Sequence, residues 1–479
     1  MKKVLFLCGS PRGHASTSFY FAQYTTNFLE HEFDFIDIPR AKLSINSQVS
    51  EPGFQAIVHK MKQADIFVWV FGVNAFQMPA QMQYFFDKLF TNDHDFTGKL
   101  AACIITSRRI KDDHALTRMR FVSEQLGLGY LGDVSADGET FFHSPEEEIA
   151  ESSCRRLAHK INKALAKNYL PAPQTRPLPR KFLSAKYFGQ PVDIPADSLS
   201  QKKHKKAKKI IILTGCALSR NHTASAIAKL CDKFSKHKIE VIELEKYKIK
   251  PCRGCYFCMI DKACNCRLQD DVIKIIEQLK QAQGIILIAN CASGLIDAYL
   301  QTFLDRVSRL FYQPCLKNKY GFGVVSGADV WGKGALEYVR DTLNAWGVNC
   351  LGELMRIEDE SPMFVQTLMH EISELDTAIE QQWQIADRFS ARSFRLGLAQ
   401  HIKKHGLILQ GEYAFFKKNK MLSDFKETWP EKIIRFLLKN SFLRIKTISI
   451  LSEQTKRKRA MRLEKQIKDN SRLKAVIQT

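Results

Sequence analysis

The chain opens with the stretch KKVLFLCGSPRGHASTS, residues 2–18, in which an apolar run gives way to a loop of small and polar residues. The apolar run predicts a buried β-strand that ends at Gly9. A segment with the apolar spacing of a helix follows from Phe19 to Glu30. A strand, a small-residue loop and a helix N-terminus in this order can bind an anion, because backbone N–H groups converge there. An ordinary strand-to-helix connection with a Ser or Thr N-cap explains the same residues equally well.

This opening pattern occurs twice along the chain. Matching segments recur at offsets of 206 and 218 residues: 2–9 with 208–215, 64–70 with 282–288, and 85–88 with 303–306. A repeat of this length predicts two copies of one domain. Within each copy, short apolar strands alternate with helical segments. This alternation predicts an α/β fold with a doubly wound parallel sheet, whose ligands bind beyond the carboxyl ends of the strands.

The domain boundaries follow from the repeat and from shifts in composition. We expect the first domain at residues 1–169, a Pro/Lys-rich linker at 170–206, the second domain at 207–390 and a basic helical tail at 391–479. From residue 391 onward there are 22 Lys and Arg against 7 Asp and Glu, so the tail carries +15 of the net charge of +22. Because the domains themselves are only mildly basic, specific binding of nucleic acid is not expected.

Cysteine usage indicates the compartment and a reactive segment. Thirteen cysteines in 479 residues do not form the framework of a small secreted protein, and five of them lie between Cys252 and Cys266. Such crowding is typical of metal or redox chemistry in a reducing cytosol. No apolar run approaches the length of a transmembrane helix. We therefore expect a cytoplasmic protein.

Four short motifs stand out in the first copy: Gly9-Ser10-Pro11-Arg12, Ser16-Thr17, Met78-Pro79-Ala80-Gln81 and Phe86-Asp87-Lys88. In this combination they resemble the flavodoxin-like NAD(P)H-dependent FMN reductases, and the resemblance covers both copies, about residues 1–165 and 207–390. It implies two tandem flavodoxin-like domains that use FMN and NAD(P)H. Hydride would pass from NAD(P)H to FMN, and electrons would pass onward to a small-molecule or protein acceptor.

The resemblance also assigns residues to the flavin. In that family the first loop holds the FMN phosphate, and the loops after the third and fourth strands frame the flavin ring. The matching positions are Ser10, Pro11, Arg12, Ser16 and Thr17 for the phosphate, and Val73, Asn74, Ala75, Phe76 and Met78 for the ring. The second copy lacks the Ser-Pro-Arg run in its first loop but has a glycine-rich loop after its fourth strand. We expect the flavin in the first copy, with the second as the alternative.

The cysteine-rich segment is an insertion found only in the second copy. Its spacing, Cys-x2-Cys-x2-Cys-x5-Cys, assigns Cys252, Cys255, Cys258 and Cys264, with Cys266 as an alternative fourth ligand. Close soft ligands favour an iron–sulfur cluster over zinc, which more often uses two separated Cys-x-x-Cys pairs. The spacing also resembles that of the iron–sulfur flavoproteins, which implies one [4Fe–4S] cluster. A cysteine-rich loop without metal remains the alternative.

The tail contains a basic amphipathic helix after Pro430. Lys432, Arg435, Lys439 and Lys446 project to one side, and aliphatic residues such as Ile433 lie on the other. Such a helix either docks on the protein's own domains or contacts an anionic membrane surface.

Two hypotheses for the whole chain follow. The first is an FMN-dependent oxidoreductase whose two copies form a pseudo-dimer, or which forms a homodimer. The second is a non-enzymatic flavin or iron–sulfur electron carrier or redox sensor. No Ser/His/Asp arrangement or paired carboxylates indicate other chemistry, so no catalytic side chain is assigned.

Overall fold

The computed structural model describes most of the chain: residues 2–41, 43, 51–107, 112–138, 147–175, 203–204, 206–260, 266–292, 294–326, 332–356, 361–386, 389–422, 428–438 and 440–477. Most of the predicted linker and one predicted cluster ligand, Cys264, lie outside these residues.

The first domain is a five-stranded parallel sheet with helices between its strands. The strands are β1 Lys3–Cys8, β2 Glu32–Asp37, β3 Ile66–Gly72, β4 Leu100–Ser107 and β5 Gly129–Asp137. The helices are α1 Thr17–Thr26, α2 Pro52–Gln63, α3 Ala80–Thr91, α4 Asp112–Gln125 and α5 Glu147–Lys167. The strands lie in the order β2-β1-β3-β4-β5, which is the flavodoxin-like order.

The second domain repeats this topology. Its strands are β6 Lys209–Thr214, β7 Lys238–Glu243, β8 Gly284–Ala292, β9 Leu295–Ile296, β10 Tyr320–Ser326 and β11 Asn349–Met355. Its helices are α6 His222–Phe234, α7 Phe257–Ile260, α8 Val272–Gln281, α9 Ala298–Arg306, α10 Arg309–Tyr312, α11 Lys333–Trp346 and α12 Ser361–Gln381. The order is β11-β10-β8-β6-β7, with the short β9 antiparallel to β8. The predicted α/β fold with two tandem flavodoxin-like sheets is confirmed.

Each sheet is buried on both faces, as a doubly wound fold requires. In β3, Phe67 and Trp69 pack among α2, α3 and α4, whereas Val68 and Val70 pack among α1 and α5. Successive residues of a strand point to opposite faces, so a continuous apolar run fills both cores. This is why residues 66–71 and 285–289 are unbroken hydrophobic runs in the sequence.

The two domains pack against each other through corresponding helices, because α3 lies against α9, which stands at the offset of 218 residues. The backbone N–H of Ala80, the first residue of α3, donates to the Asp305 carboxylate of α9 over 2.7 Å. Gln83 donates to the carbonyl of Ile296 in the other domain. The two copies therefore associate within one chain through matched faces.

The tail continues with α13 Phe389–His405, α14 Gln410–Lys418, α15 Trp429–Leu437 and α16 Ser441–Ile477. Helix α14 packs on the short helix α7 of the cysteine-rich segment. The long helix α16 reaches back to the first domain, where Arg462 pairs with Glu151 of α5 over 3.1 Å. None of the described helices combines the length and the apolar character that crossing a bilayer requires.

Candidate functional site

The first loop of the first domain has the geometry of an anion site. The carbonyl of Ser10 accepts from Gly13 N–H at 2.8 Å and so folds the loop into a tight turn. The Ser16 hydroxyl is the N-cap of α1 and accepts from Phe19 N–H at 3.2 Å. The N–H groups of Thr17 and Ser18 lie in the first helical turn, where no earlier carbonyl of the helix can reach them. These donors and the positive end of the helix face the carboxyl edge of β1, where a phosphate group would fit.

The matching loop of the second domain is filled by acidic side chains. The Glu243 carboxylate accepts from Leu218 N–H at 2.8 Å, and Glu245 accepts from Ala217 N–H at 2.9 Å. The donors that would bind a phosphate are therefore used, and two negative charges stand beside them. In the first domain, Asp37 occupies the position that corresponds to Glu243; it pairs with Arg40 over 3.2 Å, and its carboxylate also lies against Gly13 of the first loop. The loop residues present fit a phosphate in the first domain and do not fit one in the second.

The loop after β3 is rigid and strongly turned. The N–H of Val73 donates to the Thr106 carbonyl at 2.7 Å, and Asn74 and Gln77 exchange two backbone hydrogen bonds. Ala75 and Phe76 have φ angles of 43° and 66°, a left-handed conformation that side chains other than glycine adopt only when their surroundings enforce it. The backbone of this loop lies at the carboxyl edge of the sheet beside the first loop.

The side chains of this second loop face the protein interior. The Phe76 ring contacts the rings of Phe311 and Phe394 edge-on, with centroids 4.8 and 5.3 Å away, so it packs in the core of the second domain. Met78 is fully buried in the first domain. Of the ring-contact residues that the resemblance implies, these two place their side chains in packed cores, and any flavin contact from them would be made by backbone atoms.

The cysteine-rich segment of the second domain contacts the first loop of the first domain and the start of α3. Gly254 adopts φ +61°, and a Cβ there would lie 3.1 Å from Cγ of Arg12 in the first loop. The Arg12 guanidinium lies 5.7 Å from the centre of the Tyr256 ring. The side-chain amide of Gln81, just after the second loop, donates to the Cys252 carbonyl at 3.1 Å. The structure thus joins the predicted flavin site of one domain with the predicted metal site of the other.

The thiols of this segment lie within electrostatic range of one another. Burial raises the pKa of Cys252 to about 12, and the neighbouring Asp305 carboxylate and the Cys255 and Cys266 thiols act in the same direction. Burial likewise raises the pKa of Cys258, with added effects from Cys252, Cys266 and Cys255. The structure therefore brings Cys252, Cys255, Cys258 and Cys266 into one neighbourhood. Soft thiols in such a group suit an iron–sulfur cluster, although no three described donors are close enough to hold an ion as they stand.

A buried arginine fixes both ends of the cysteine-rich segment. Arg306 of α9 donates to the carbonyl of Lys250 at 2.6 Å and to the Asp270 carboxylate at 2.5 Å. Lys250 precedes the first cysteine, and Asp270 follows the last one. Because the arginine and aspartate side chains are 1% and 2% exposed, this ion pair is shielded from water. It keeps the two ends of the segment close together.

Carboxyl groups with raised pKa values lie where the two domains meet. Asp305 is fully buried, and burial raises its pKa to about 7 although Ala80 N–H, Gln301 and Asn74 donate to it. Burial raises the pKa of Asp297, the N-cap of α9, to about 6. The pKa of Asp87 is also raised, by burial and then by Asp297. Asp305 lies between the second loop and Cys252, and no local sequence pattern indicates a titrating group there.

The tail places one further residue beside the first loop, where the phosphate is predicted to bind. Arg459 of α16 is 7% exposed, and it donates to the Thr17 hydroxyl at 3.3 Å and to the Glu147 carboxylate at 2.6 Å. A positive charge therefore stands beside the N-terminus of α1. Sequence reasoning missed this residue, because 442 positions separate it from Thr17 and it lies in a run of four basic residues that resembles a solvated helix face.

Comparison with known proteins matches both domains to one family. The family model for NADPH-dependent FMN reductase matches residues 2–139 and 208–359, together more than half of the chain. An iron-sulfur flavoprotein of Archaeoglobus fulgidus is 26% identical over 193 residues, which is 38% of this chain and 85% of that protein. An iron-sulfur flavoprotein of Methanocaldococcus jannaschii is 30% identical over 122 residues, 25% of this chain and 62% of that protein.

Solved structures of similar fold include two reductases. An FMN-dependent NADH-azoreductase from Bacillus anthracis, in complex with FMN, has a TM-score of 0.27 at 16% identity and is matched over 34% of this chain and 100% of its own. An NAD(P)H:quinone oxidoreductase from Methanothermobacter marburgensis has a TM-score of 0.27 at 16% identity, over 33% of this chain and 95% of its own.

Proposed function

Because the chain belongs to the NADPH-dependent FMN reductase family, we propose that it is an FMN-dependent oxidoreductase with its flavin site in the first domain and an iron–sulfur site in the second. The observation that carries the proposal is the contact of the cysteine-rich segment with the first loop, through Gly254 and Arg12, and with the first turn of α3, through Cys252 and Gln81. A redox centre in this segment would lie next to a flavin held by that loop.

The first domain has the residues to hold FMN. Ser10, Arg12, Ser16 and Thr17 would hold the phosphate, and the backbone of residues 73–78 would border the flavin ring. Arg459 adds a cation at the phosphate end, which complements a group of two negative charges. When bound, FMN supplies both hydride acceptance and single-electron transfer, so the protein has to position it and tune its surroundings.

The second domain has the residues to hold a cluster. Cys252, Cys255 and Cys258 would be three ligands, and the fourth would be Cys264, outside the described residues, or Cys266, which lies near the other thiols. A [4Fe–4S] cluster supplies single-electron transfer when bound. Helix α14 covers this segment, and its buried Glu412 lies close enough to Cys258 to raise the pKa of that thiol further. The names of the two archaeal relatives support this assignment.

The donor and the acceptor complete the proposal. We infer NAD(P)H as the hydride donor and a small molecule or a protein as the acceptor. The alternative is an electron carrier or redox sensor that holds the same groups without turnover. Steady-state oxidation of NADH and NADPH by the anaerobically purified protein, with quinone, free flavin or ferricyanide added, separates the two. Turnover dependent on bound FMN supports the oxidoreductase, and its absence with all three acceptors supports the carrier.

A further inference from the structure

Exposed apolar side chains are concentrated in one part of the described chain. Nine of the nineteen large hydrophobic residues that are exposed lie between residues 429 and 450: Trp429, Ile433, Ile434, Phe436, Leu437, Phe442, Leu443, Ile445 and Ile450. They belong to α15 and the first turns of α16. Water-soluble proteins rarely expose a contiguous apolar surface of this kind unless it binds a partner or a membrane.

Two arginines and Leu438, which is 7% exposed, make the contacts of this segment with the preceding tail helices. Arg435 donates to the carbonyl of Gly406 at 2.9 Å, and its guanidinium lies 3.5 Å from the centre of the Tyr413 ring. Arg444, which is 4% exposed, donates to the Gln410 side chain at 3.1 Å. An amphipathic helix that docks on its own domain normally buries its apolar stripe. Here Leu438 is buried but the nine apolar side chains named above face outward, so self-docking does not explain them.

The charges around the patch favour a lipid surface over a second copy of the chain. Residues 429–450 contain five Lys and Arg and one acidic residue, Glu431. Lys432 and Lys446 are exposed beside the apolar side chains. Two copies facing each other would bring like charges together, whereas anionic headgroups would neutralise them. Tryptophan and phenylalanine beside lysines on one helical surface are typical of helices that lie in the headgroup region.

We propose that residues 429–450 bind the surface of an anionic lipid bilayer. The exposed apolar side chains lie at the boundary between headgroups and acyl chains, and Lys432 and Lys446 contact the lipid phosphates. The segment lies along the surface and does not cross it. Because α16 continues without a break to Arg459 at the first domain, this contact holds the flavin site at a fixed distance from the membrane.

Cosedimentation of the full chain with vesicles tests the proposal. The protein is expected to pellet with vesicles of phosphatidylcholine and phosphatidylglycerol about tenfold more than with phosphatidylcholine alone. The variant Phe436→Ser/Phe442→Ser, at side chains that are 68% and 70% exposed, is expected to lose about tenfold or more of this binding. Met363→Ser, at a side chain 58% exposed in the second domain, is the matched control and binds like the wild type.

Trp429 provides a second signal, because it is 75% exposed and moves into a less polar environment on binding. A blue shift of its fluorescence with anionic vesicles, absent in Trp429→Phe, supports the proposal. Circular dichroism of each variant confirms that the fold is intact. Failure of the wild type to pellet, or equal pelleting of the double serine variant, overturns the proposal. A lipid-free dimer that the double serine variant dissociates assigns the patch to self-association and also overturns it.

Discussion

The side chain of Gln81 in the first domain donates to the backbone carbonyl of Cys252 in the second domain at 3.1 Å. Nearby, Gly254 contacts Arg12 so closely that a Cβ would lie 3.1 Å from its Cγ. The cysteine-rich segment of one domain thus contacts the first loop and the start of α3 of the other, where we propose that the flavin binds. The two copies differ here: acidic side chains occupy the first loop of the second copy, and only the second copy carries the cysteine-rich insertion.

We predict that Gly254→Ala separates the two parts of this site. A Cβ at φ +61° is strained by about 1–2 kcal/mol and also pushes Arg12 away. NAD(P)H-dependent reduction of the iron–sulfur centre is expected to slow while the FMN content stays unchanged, as measured by stopped-flow absorbance. Gly98→Ala is the control, because Gly98 has φ +86° but a Cβ there would meet no atom within 4 Å. Equal slowing in both variants would contradict the role of the contact.

The fold was predictable from the sequence because its signals are local and repeated. Apolar runs such as 66–70 and their matches in the second copy predict buried parallel strands, and both sheets confirm this. The strand–loop–helix arrangement around Ser10, Ser16 and Thr17 was predictable for the same reason, whereas phosphate binding there stays a prediction. The occupation of the corresponding loop of the second domain by acidic side chains was not predictable from that loop, since Glu243 and Glu245 lie at and just after the end of β7.

Long-range contacts explain the other features that sequence reasoning missed. Phe76 has the same local signature whether its ring faces a flavin or another domain, and only the packing of the domains shows that it meets Phe311. Arg459 contacts Thr17 across 442 residues, and no periodicity reports such a contact. The exposed apolar face of α15 is also invisible to pattern analysis, which detects amphipathicity but not which side is buried.

We predict that Ser16→Asp strongly weakens FMN binding whereas Ser16→Asn preserves it. Both residues cap helices well, so α1 keeps its N-cap in both variants. Only aspartate places a negative charge beside the phosphate, which is expected to weaken binding about a hundredfold or more. Quenching of flavin fluorescence during titration of the apoprotein measures the dissociation constants.

The second copy provides the control for this experiment. Ser219→Ala, in the corresponding loop, is expected to leave FMN binding unchanged, because that loop is already occupied by Glu243 and Glu245. If Ser16→Asp retains wild-type affinity, the flavin does not bind in the first domain.

We predict that Arg459→Gln lowers FMN affinity about tenfold and leaves riboflavin affinity unchanged. The guanidinium stands at the Thr17 hydroxyl, and a charge-assisted hydrogen bond to phosphate contributes roughly 1.5–3 kcal/mol. Riboflavin lacks the phosphate and does not use this contact. Glu147 keeps Arg462 as a partner at 3.7 Å in this variant. Isothermal titration of the apoprotein with each flavin measures the difference.

Arg462→Gln is the matched control, because Arg462 pairs with Glu148 and Glu151 on the same helix face. It is expected to change neither affinity by more than about twofold. Parallel loss of FMN and riboflavin affinity in Arg459→Gln would show that the arginine only stabilises the fold of the tail.

We predict that Cys255→Ser removes iron and leaves FMN in place. Anaerobically purified or reconstituted wild type is expected to contain about four irons per chain. Cys264→Ser and Cys266→Ser, compared side by side, identify the fourth ligand as the one whose loss lowers iron content. Cys315→Ser is the control, because Cys315 is exposed and lies outside the cysteine-rich segment. Wild-type protein that stays free of iron after reconstitution would refute the cluster and leave the flavin assignment standing.

The last prediction concerns pH and rests on Asp305. Burial raises its pKa from 3.8 to about 7, so between these values the folded protein holds a proton that the unfolded chain has released. Its contribution to stability is therefore fully present below about pH 4 and is lost as the pH rises toward 7. Asp305→Asn cannot ionise, so the free energy of unfolding, measured by urea denaturation, is expected to depend less on pH within this window.

Asp65→Asn is the opposite control: the pKa of Asp65 is lowered, because hydrogen bonds from Lys3 and Lys2 outweigh its burial. The stability that Asp65 provides is lost as the pH falls. Asp65→Asn is therefore expected to reduce the pH dependence of the free energy of unfolding at acid pH. If the free energy of unfolding of Asp305→Asn changes with pH as that of the wild type does from about pH 4 to 7, Asp305 is not the group that titrates between the two domains.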